Sequence, residues 1–384
     1  MKTQKTLLAL GALAASSLAL AQSSVTLFGV VDVGVTTAKT GSVRRTAVNP
    51  SQGKTSNIGF RGAEDLGGGT RAEFWLAGGS NPDTGAGGSS GALGFERRST
   101  VGLVSPWGEI RLGRDYTASY NIFTAFGGPD ATTGVQANLF QDIRALAYGG
   151  ATTGTGAGQS GTVDRTRISN AVGYFLPRDL GGVYGQLQYS FGDENRSDSG
   201  AANARRYAGG NLGYRYGPLN LGVGYGRTQG NPAVTAPPYP AAIAAASNLE
   251  DLVLGASYDF GGFLLNGGYN SLKWKPVGGA TSGKAAGFYL SGSLPVGPGN
   301  FRVKYGSVKF SGNDGTAAGL VRSGAKADKY SVGYVYDLSK RTSLYTALAH
   351  VSNKRNANIG LIGGPSGAAN AGATGLDLGI SHSF

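Results

Sequence analysis

The chain has 384 residues, 34 Lys and Arg against 22 Asp and Glu for a formal charge of +12, 68 glycines and no cysteine. The missing cysteines remove disulfide staples and thiolate metal sites, and the glycines follow no three-residue period, which excludes collagen. With 19 Tyr and 15 Phe the chain is too aromatic for a disordered polymer.

The first segment reads as a leader. Lys2 and Lys5 precede an apolar run from Leu7 to Leu20, and Ala19-Leu20-Ala21 supplies small residues at a cleavage site. The run is shorter than a membrane-spanning helix needs, and no later stretch reaches the roughly 18 consecutive apolar residues of one. The expected organisation is a signal peptide over 1–21 and a single β-domain over 22–384.

From there one pattern recurs. Val25, Leu27, Val31, Val33 and Val35 share a parity, with Thr26 and Asp32 on the other. The same alternation returns over Val183–Phe191, Leu219–Tyr225, Leu252–Tyr258, Phe288–Leu294 and Tyr330–Tyr336, and again over Leu376, Leu378, Ile380 and Phe384 at the C-terminus. Period two is the mark of a strand with two unlike faces. Runs of about ten residues suit a tilted strand crossing a bilayer.

The connections alternate in length. Tight turns are expected at 66–69, 105–108, 177–182, 216–219, 259–262, 295–299 and 337–340, where Gly, Pro, Asp and Asn cluster. Long polar stretches are expected near 37–53, 81–94, 116–164, 193–204, 230–248, 275–283, 312–326 and 353–371. Eight long loops and seven short turns join sixteen strands. Short turns on one rim and long loops on the other predict an all-β fold, a sixteen-stranded antiparallel transmembrane barrel. A barrel in lipid tolerates no open edge, so Val25–Val35 and Leu376–Phe384 must pair and seal it.

Parity then names the wall residues that face water. Asn57 and Arg61 oppose Ile58 and Phe60. Arg98 opposes Val101 and Leu103, with Arg97 taking its place if a bulge shifts the register. Arg111 lies between Ile110 and Leu112, and Arg165 and Arg167 oppose Ile168, Val172 and Tyr174. Arg302, Lys304 and Lys329 follow likewise. Inward carboxylates are fewer: Asp32, Glu73, Asp251 and Asp377. A charge on the lipid face would cost about 2–4 kcal/mol at midplane, which favours this assignment. An arginine stays charged at any working pH, so the excess predicts a positive lumen that enriches anions.

With these segments in order, the chain resembles the general porins of Gram-negative outer membranes. The resemblance rests on SSVTLFGVVDVGV (23–35), TSNIGFRGAEDLGGG (55–69), AEFWL (72–76), FERRSTVGL (95–103), GEIRLGRDY (108–116), LGASYDFGG (254–262), LSKRTSLY (338–345) and GISHSF (379–384). It implies an outer-membrane homotrimer among lipid and lipopolysaccharide, with periplasmic short turns, extracellular long loops and a third loop folded into each lumen. Residues 116–164 are the longest loop, and YNIFTAFGGPD (120–130) is similar to the family's aromatic-glycine bend. Asp130 and Asp142 are its candidate constriction carboxylates. The resemblance also implies three constriction arginines, at the positions of Asn57, of Arg98 or Arg97, and of Arg167. Asn57 departs from that pattern.

The expected function is passive diffusion of small hydrophilic solutes, anions preferred; the alternative is a channel specific for phosphate or organic anions. No cofactor, metal or nucleic acid is expected. The two histidines, His350 and His382, fall on lipid-facing parity, away from any nucleophile, so catalysis is not expected.

Overall fold

The computed structural model describes residues 24–88, 93–147, 166–192, 206–229, 246–276, 282–312 and 323–384. The expected leader over 1–21 lies outside them.

In chain order the strands are β1 (Ser24–Thr40), β2 (Val43–Pro50), β3 (Asn57–Gly67), β4 (Thr70–Asn81), β5 (Ala86–Gly87), β6 (Arg98–Ser105), β7 (Gly108–Tyr116), β8 (Arg167–Phe175) and β9 (Val183–Ser190). There follow β10 (Tyr207–Tyr216), β11 (Leu219–Gln229), β12 (Ala246–Asp259), β13 (Leu264–Pro276), β14 (Gly283–Val296), β15 (Gly299–Ser311), β16 (Lys326–Asp337), β17 (Thr342–Lys354) and β18 (Ala373–Ser383). Each pairs antiparallel with its neighbour, and β1 pairs with β18 from Val30 opposite Ser383 to Thr40 opposite Ala373. β2 and β3 run end to end along the other edge of β1 as one stave, and β5 is a short pairing with the tip of β4. The result is a closed barrel of sixteen staves.

The expected faces are present. Val25, Leu27, Val35, Leu187, Val223, Phe288 and Ile380 are exposed on the outer surface. Asp32, Thr100, Gln186, Gln188, Asp251, Asn270 and Asp377 are buried on the inner one. Trp107, Tyr214, Tyr216, Tyr258, Phe260, Tyr336 and Phe384 stand exposed close to the short turns, as an aromatic belt at a bilayer surface does.

Two expectations are corrected. The stretch 37–53 is not a long loop: β1 continues to Thr40, turns at Gly41 and Ser42, and returns as β2. Residues 51–56 then leave the stave as an inward strap. The Asp32 carboxylate holds it, accepting the main-chain N–H of Gln52 (2.8 Å), Gly53 (3.0 Å) and Lys54 (2.7 Å) and the Tyr345 hydroxyl (2.8 Å). Successive N–H groups around one anion form a nest, here filled by the protein's own carboxylate. The second correction concerns Ile168, which is buried beside Ala171 and Tyr207 rather than facing lipid. The register slips between Gly113 and Asp115, and Asn170 has φ of 50°, so a bulge in β8 reverses the parity below Val172.

Residues after β7 enter the lumen and build two helices, α1 (Ala118–Phe126) and α2 (Leu139–Ala147). Thr117 caps α1 by accepting from the Tyr120 N–H, and the Gly127 N–H closes it on the Phe123 carbonyl. Asn138 accepts from the Phe140 N–H at the start of α2. Ile122, Phe123, Phe126, Leu139, Phe140 and Ile143 are all fully buried, each gaining about 2 kcal/mol from leaving water. The wall makes room for α1 with glycines. A Cβ on Gly255 would lie 2.3 Å from the Phe126 ring, and one on Gly222 2.6 Å from it. Inward glycine therefore lets the loop press against β11 and β12.

Candidate functional site

The lumen has two unlike sides. One is lined by the inserted loop. Asp130 forms an ion pair with Arg302 of β15, the Gln136 carbonyl accepts from Lys304 (3.1 Å), and Asp142 meets the Lys329 ammonium of β16. Val135 donates its N–H to Asp377 at 2.7 Å, and the Thr133 hydroxyl donates to the Gly53 carbonyl of the strap at 2.9 Å. The two candidate carboxylates, Asp130 and Asp142, thus sit against cations of the wall and anchor the loop. Burial pushes the Asp142 carboxyl up to about 6, against the pull of the Lys329 ammonium.

The other side is the wall of β3, β4 and β6 to β8, which the start of α1 touches at Tyr116, through Tyr120 at 5.4 Å between ring centroids, and near Arg111, and it carries the arginines. Register sets Arg61 opposite Trp75, Trp75 opposite Thr100 and Thr100 opposite Gly113. Arg98 lies one inward position nearer the long-loop rim, and Arg111 one or more nearer the short-turn rim. The Arg111 guanidinium takes both Glu109 oxygens (2.7 and 2.9 Å) and Asp115 (2.5 Å), and stacks on Phe175 with 3.9 Å between its carbon and the ring centroid. Arg98 donates to the Thr100 hydroxyl (3.1 Å), reaches Asp115 at 3.7 Å, and lies 4.7 Å from the Trp75 centroid. Arg61 lies over Phe28 and Trp75 at 5.5 and 5.4 Å.

Nearer the long-loop rim, Arg97 and Arg167 converge on the Tyr116 hydroxyl at 3.2 and 3.1 Å, and Arg167 also donates to the Arg97 carbonyl at 2.9 Å. Like charges gathered on one phenol oxygen concentrate positive potential there. Asn57 sits on the same stave as Arg61, its amide turned to the Thr55 carbonyl at 2.7 Å. Arg165 lies outside the described residues.

Arg97 with Arg167, and Arg61 with Arg98 and Arg111, are therefore brought together; Asp130 and Asp142 are placed on the far side. Sequence reasoning missed Glu109, Asp115, Trp75 and Phe28. Glu109 shares the parity of Arg111 and was readable by the same alternation. Trp75 and Phe28 were obscured because an inward aromatic resembles part of the apolar face.

A closed barrel, apolar outside and lined by charge within, defines a membrane channel. A profile of Gram-negative porins matches residues 6–356. The chain is 36% identical to outer membrane porin protein 32 of Delftia acidovorans over 99% of its own length and all of the other. It is 29% identical to an outer membrane porin protein of Bordetella pertussis over 91% of this chain and 94% of that one. The solved anion-selective porin from Comamonas acidovorans superposes with a TM-score of 0.76 at 31% identity, covering 94% of this chain and 100% of that one. The chain belongs to the Gram-negative porin family, and its place is the outer membrane.

Proposed function

We propose that this porin passes small hydrophilic solutes by diffusion and prefers anions, with Arg97, Arg98 and Arg167 as the selecting cations and Arg61, Arg111 and Asn57 lining the approach. One observation carries the reading. The inserted loop brings Asp130 and Asp142 into the lumen but commits each to a wall cation, Arg302 and Lys329, while Arg97 and Arg167 share a phenol oxygen on the other side. What remains facing the passage is positive, and in a narrow lumen a field acting over about 8 Å still reaches the solute. The anion-selective description of the Comamonas neighbour supports the same polarity.

The exported form begins after residue 21 and assembles as a homotrimer in lipid and lipopolysaccharide. Family membership supports the trimer, and cross-linking of the detergent-extracted protein tests it.

Reversal potentials across planar bilayers in a potassium chloride gradient test the selectivity. Wild type should favour chloride, and Arg98→Ala with Arg167→Ala should reduce that preference severalfold. Cation preference in the wild type would overturn the reading.

A further inference from the structure

The cations of the lumen differ in what holds them. Arg302, Lys329 and Arg111 each meet a carboxylate, which fixes the side chain and cancels its charge. Arg97 is fixed without that cancellation. It makes no ion pair among the described residues, and it donates to the Tyr116 hydroxyl oxygen at 3.2 Å, where Arg167 donates at 3.1 Å. A neutral phenol oxygen accepts from both donors and leaves both charges standing. Arg167 also lies over the Tyr116 ring, 4.7 Å from its centroid. A competing acceptor is close by. Glu96 directly precedes Arg97 and attracts its guanidinium, and Glu96 Oε2 is buried with no hydrogen bond among the described residues.

Tyr116 is itself held from three directions. Its N–H donates to Asp115 at 2.8 Å, its carbonyl accepts from Gln188 at 2.9 Å, and its ring packs on Tyr120 of α1 with centroids 5.4 Å apart. Tyr120 stacks on Phe123 at 5.7 Å, and Phe123 meets Tyr289 of β14 edge-on at 6.1 Å. Four rings thus form a row from β7 through α1 to β14. We propose that Tyr116 is a positioning residue for ion selection: its oxygen keeps Arg97 beside Arg167 and away from Glu96, and the aromatic row makes that arrangement depend on where the inserted loop docks. Without the phenol oxygen, the two guanidiniums repel and Arg97 turns to the Glu96 carboxylate, where its charge is spent. The inference rests on the anion-passing reading above and adds to it an uncharged residue and a link to the loop.

Reversal potentials in a potassium chloride gradient test this with substitutions that leave every arginine in place. Tyr116→Phe keeps the ring and loses the oxygen, so chloride preference should fall about threefold while single-channel conductance stays near wild type. Glu96→Gln should recover most of that loss in the Tyr116→Phe channel and alter the channel that retains Tyr116 by less than half as much, a non-additivity expected of groups competing for one partner. A merely supportive phenol would change stability or conductance and leave the two Glu96→Gln effects equal. Tyr120→Leu breaks the row inside α1 but keeps the phenol, and should lower the preference about twofold. Wild-type selectivity in Tyr116→Phe, or equal Glu96→Gln effects in both backgrounds, would overturn the positioning role, and wild-type selectivity in Tyr120→Leu would overturn the link to the loop. The anion-passing reading fails differently: the unaltered channel would show no chloride preference, or would keep it when Arg97→Gln and Arg167→Gln are combined.

Discussion

Asp377, in the strand that closes the barrel, accepts the main-chain N–H of Val135 in the inserted loop at 2.7 Å. Across the seam, Asp32 of β1 does the same for three N–H groups of the strap, and Thr133 joins the loop to that strap through the Gly53 carbonyl. Two inward carboxylates of the first and last strands therefore serve the lumen's furniture rather than the solute. A carboxylate enclosed by backbone donors has its charge consumed locally, which is why an acidic residue inside this pore does not imply cation preference.

The strap should depend on Asp32. Removing the carboxylate leaves three N–H groups without an acceptor, and the two that are buried, those of Gln52 and Gly53, cost about 1–3 kcal/mol each. Asp32→Ala is expected to lower the unfolding temperature in detergent clearly, and Asp32→Asn, which retains one acceptor oxygen, by less. Single-channel records of Asp32→Ala should be noisier as residues 51–56 move in the lumen. Quiet channels of wild-type stability would show that the nest contributes nothing.

The docking of α1 should be sensitive to a single glycine. Gly255 meets the Phe126 ring where a Cβ would come within 2.3 Å. Its strand conformation suits a β-branched residue, so Gly255→Val acts through sterics alone. The clash should cost about 1–3 kcal/mol of loop packing and swing the helix away from β12. The barrel should still form, because pairing of β12 with β11 and β13 is untouched, and conductance should rise. Unchanged conductance would mean that the loop adjusts without leaving the wall.

Much of this architecture was open to a reader of the sequence, and the reasons for the rest are physical. Staves that cross the bilayer alternate because one face meets lipid, so their number, the seal between β1 and β18, and the inward direction of Arg98 and Arg111 follow from parity. Residues 37–50 project beyond that apolar zone. Thr37, Lys39, Arg44 and Arg45 need no greasy face, and a strand without one reads as a loop. The bulge at Asn170 breaks the period on which the placement of Ile168 relied. The partners of Asp130 and Asp142 lie 172 and 187 residues further along the chain, a separation no local pattern encodes.

Acid should act on the loop through Asp142. Its carboxyl titrates at about 6 when buried, above an ordinary value of 3.8. The folded state therefore binds more protons than the unfolded one between these two values. Its contribution to stability is fully present below about pH 4 and is lost as pH rises through about 6. Other carboxylates titrate nearby, so the readout is a difference: the unfolding temperature of wild type minus that of Asp142→Asn should fall from pH 4 to pH 6 and level off above. A difference independent of pH over that range would exclude Asp142 as the titrating group.

The last residue should matter in two separable ways. Gly29 donates to the Phe384 carbonyl at 3.2 Å, and the Phe384 N–H donates to the Gly29 carbonyl at 3.1 Å. The Phe384 ring also fills the space a Cβ on Gly29 would claim, at 2.4 Å. Phe384→Ala keeps both main-chain bonds and loses the ring, whereas deleting residue 384 loses all three. Each bond contributes about 1 kcal/mol, and the half-exposed ring about as much again from its buried area. Resistance of the folded barrel to heating in detergent should therefore fall in the order wild type, Phe384→Ala, deletion. If the alanine variant and the deletion melt together, the seam draws its strength from the aromatic contact alone and the terminal hydrogen bonds are dispensable.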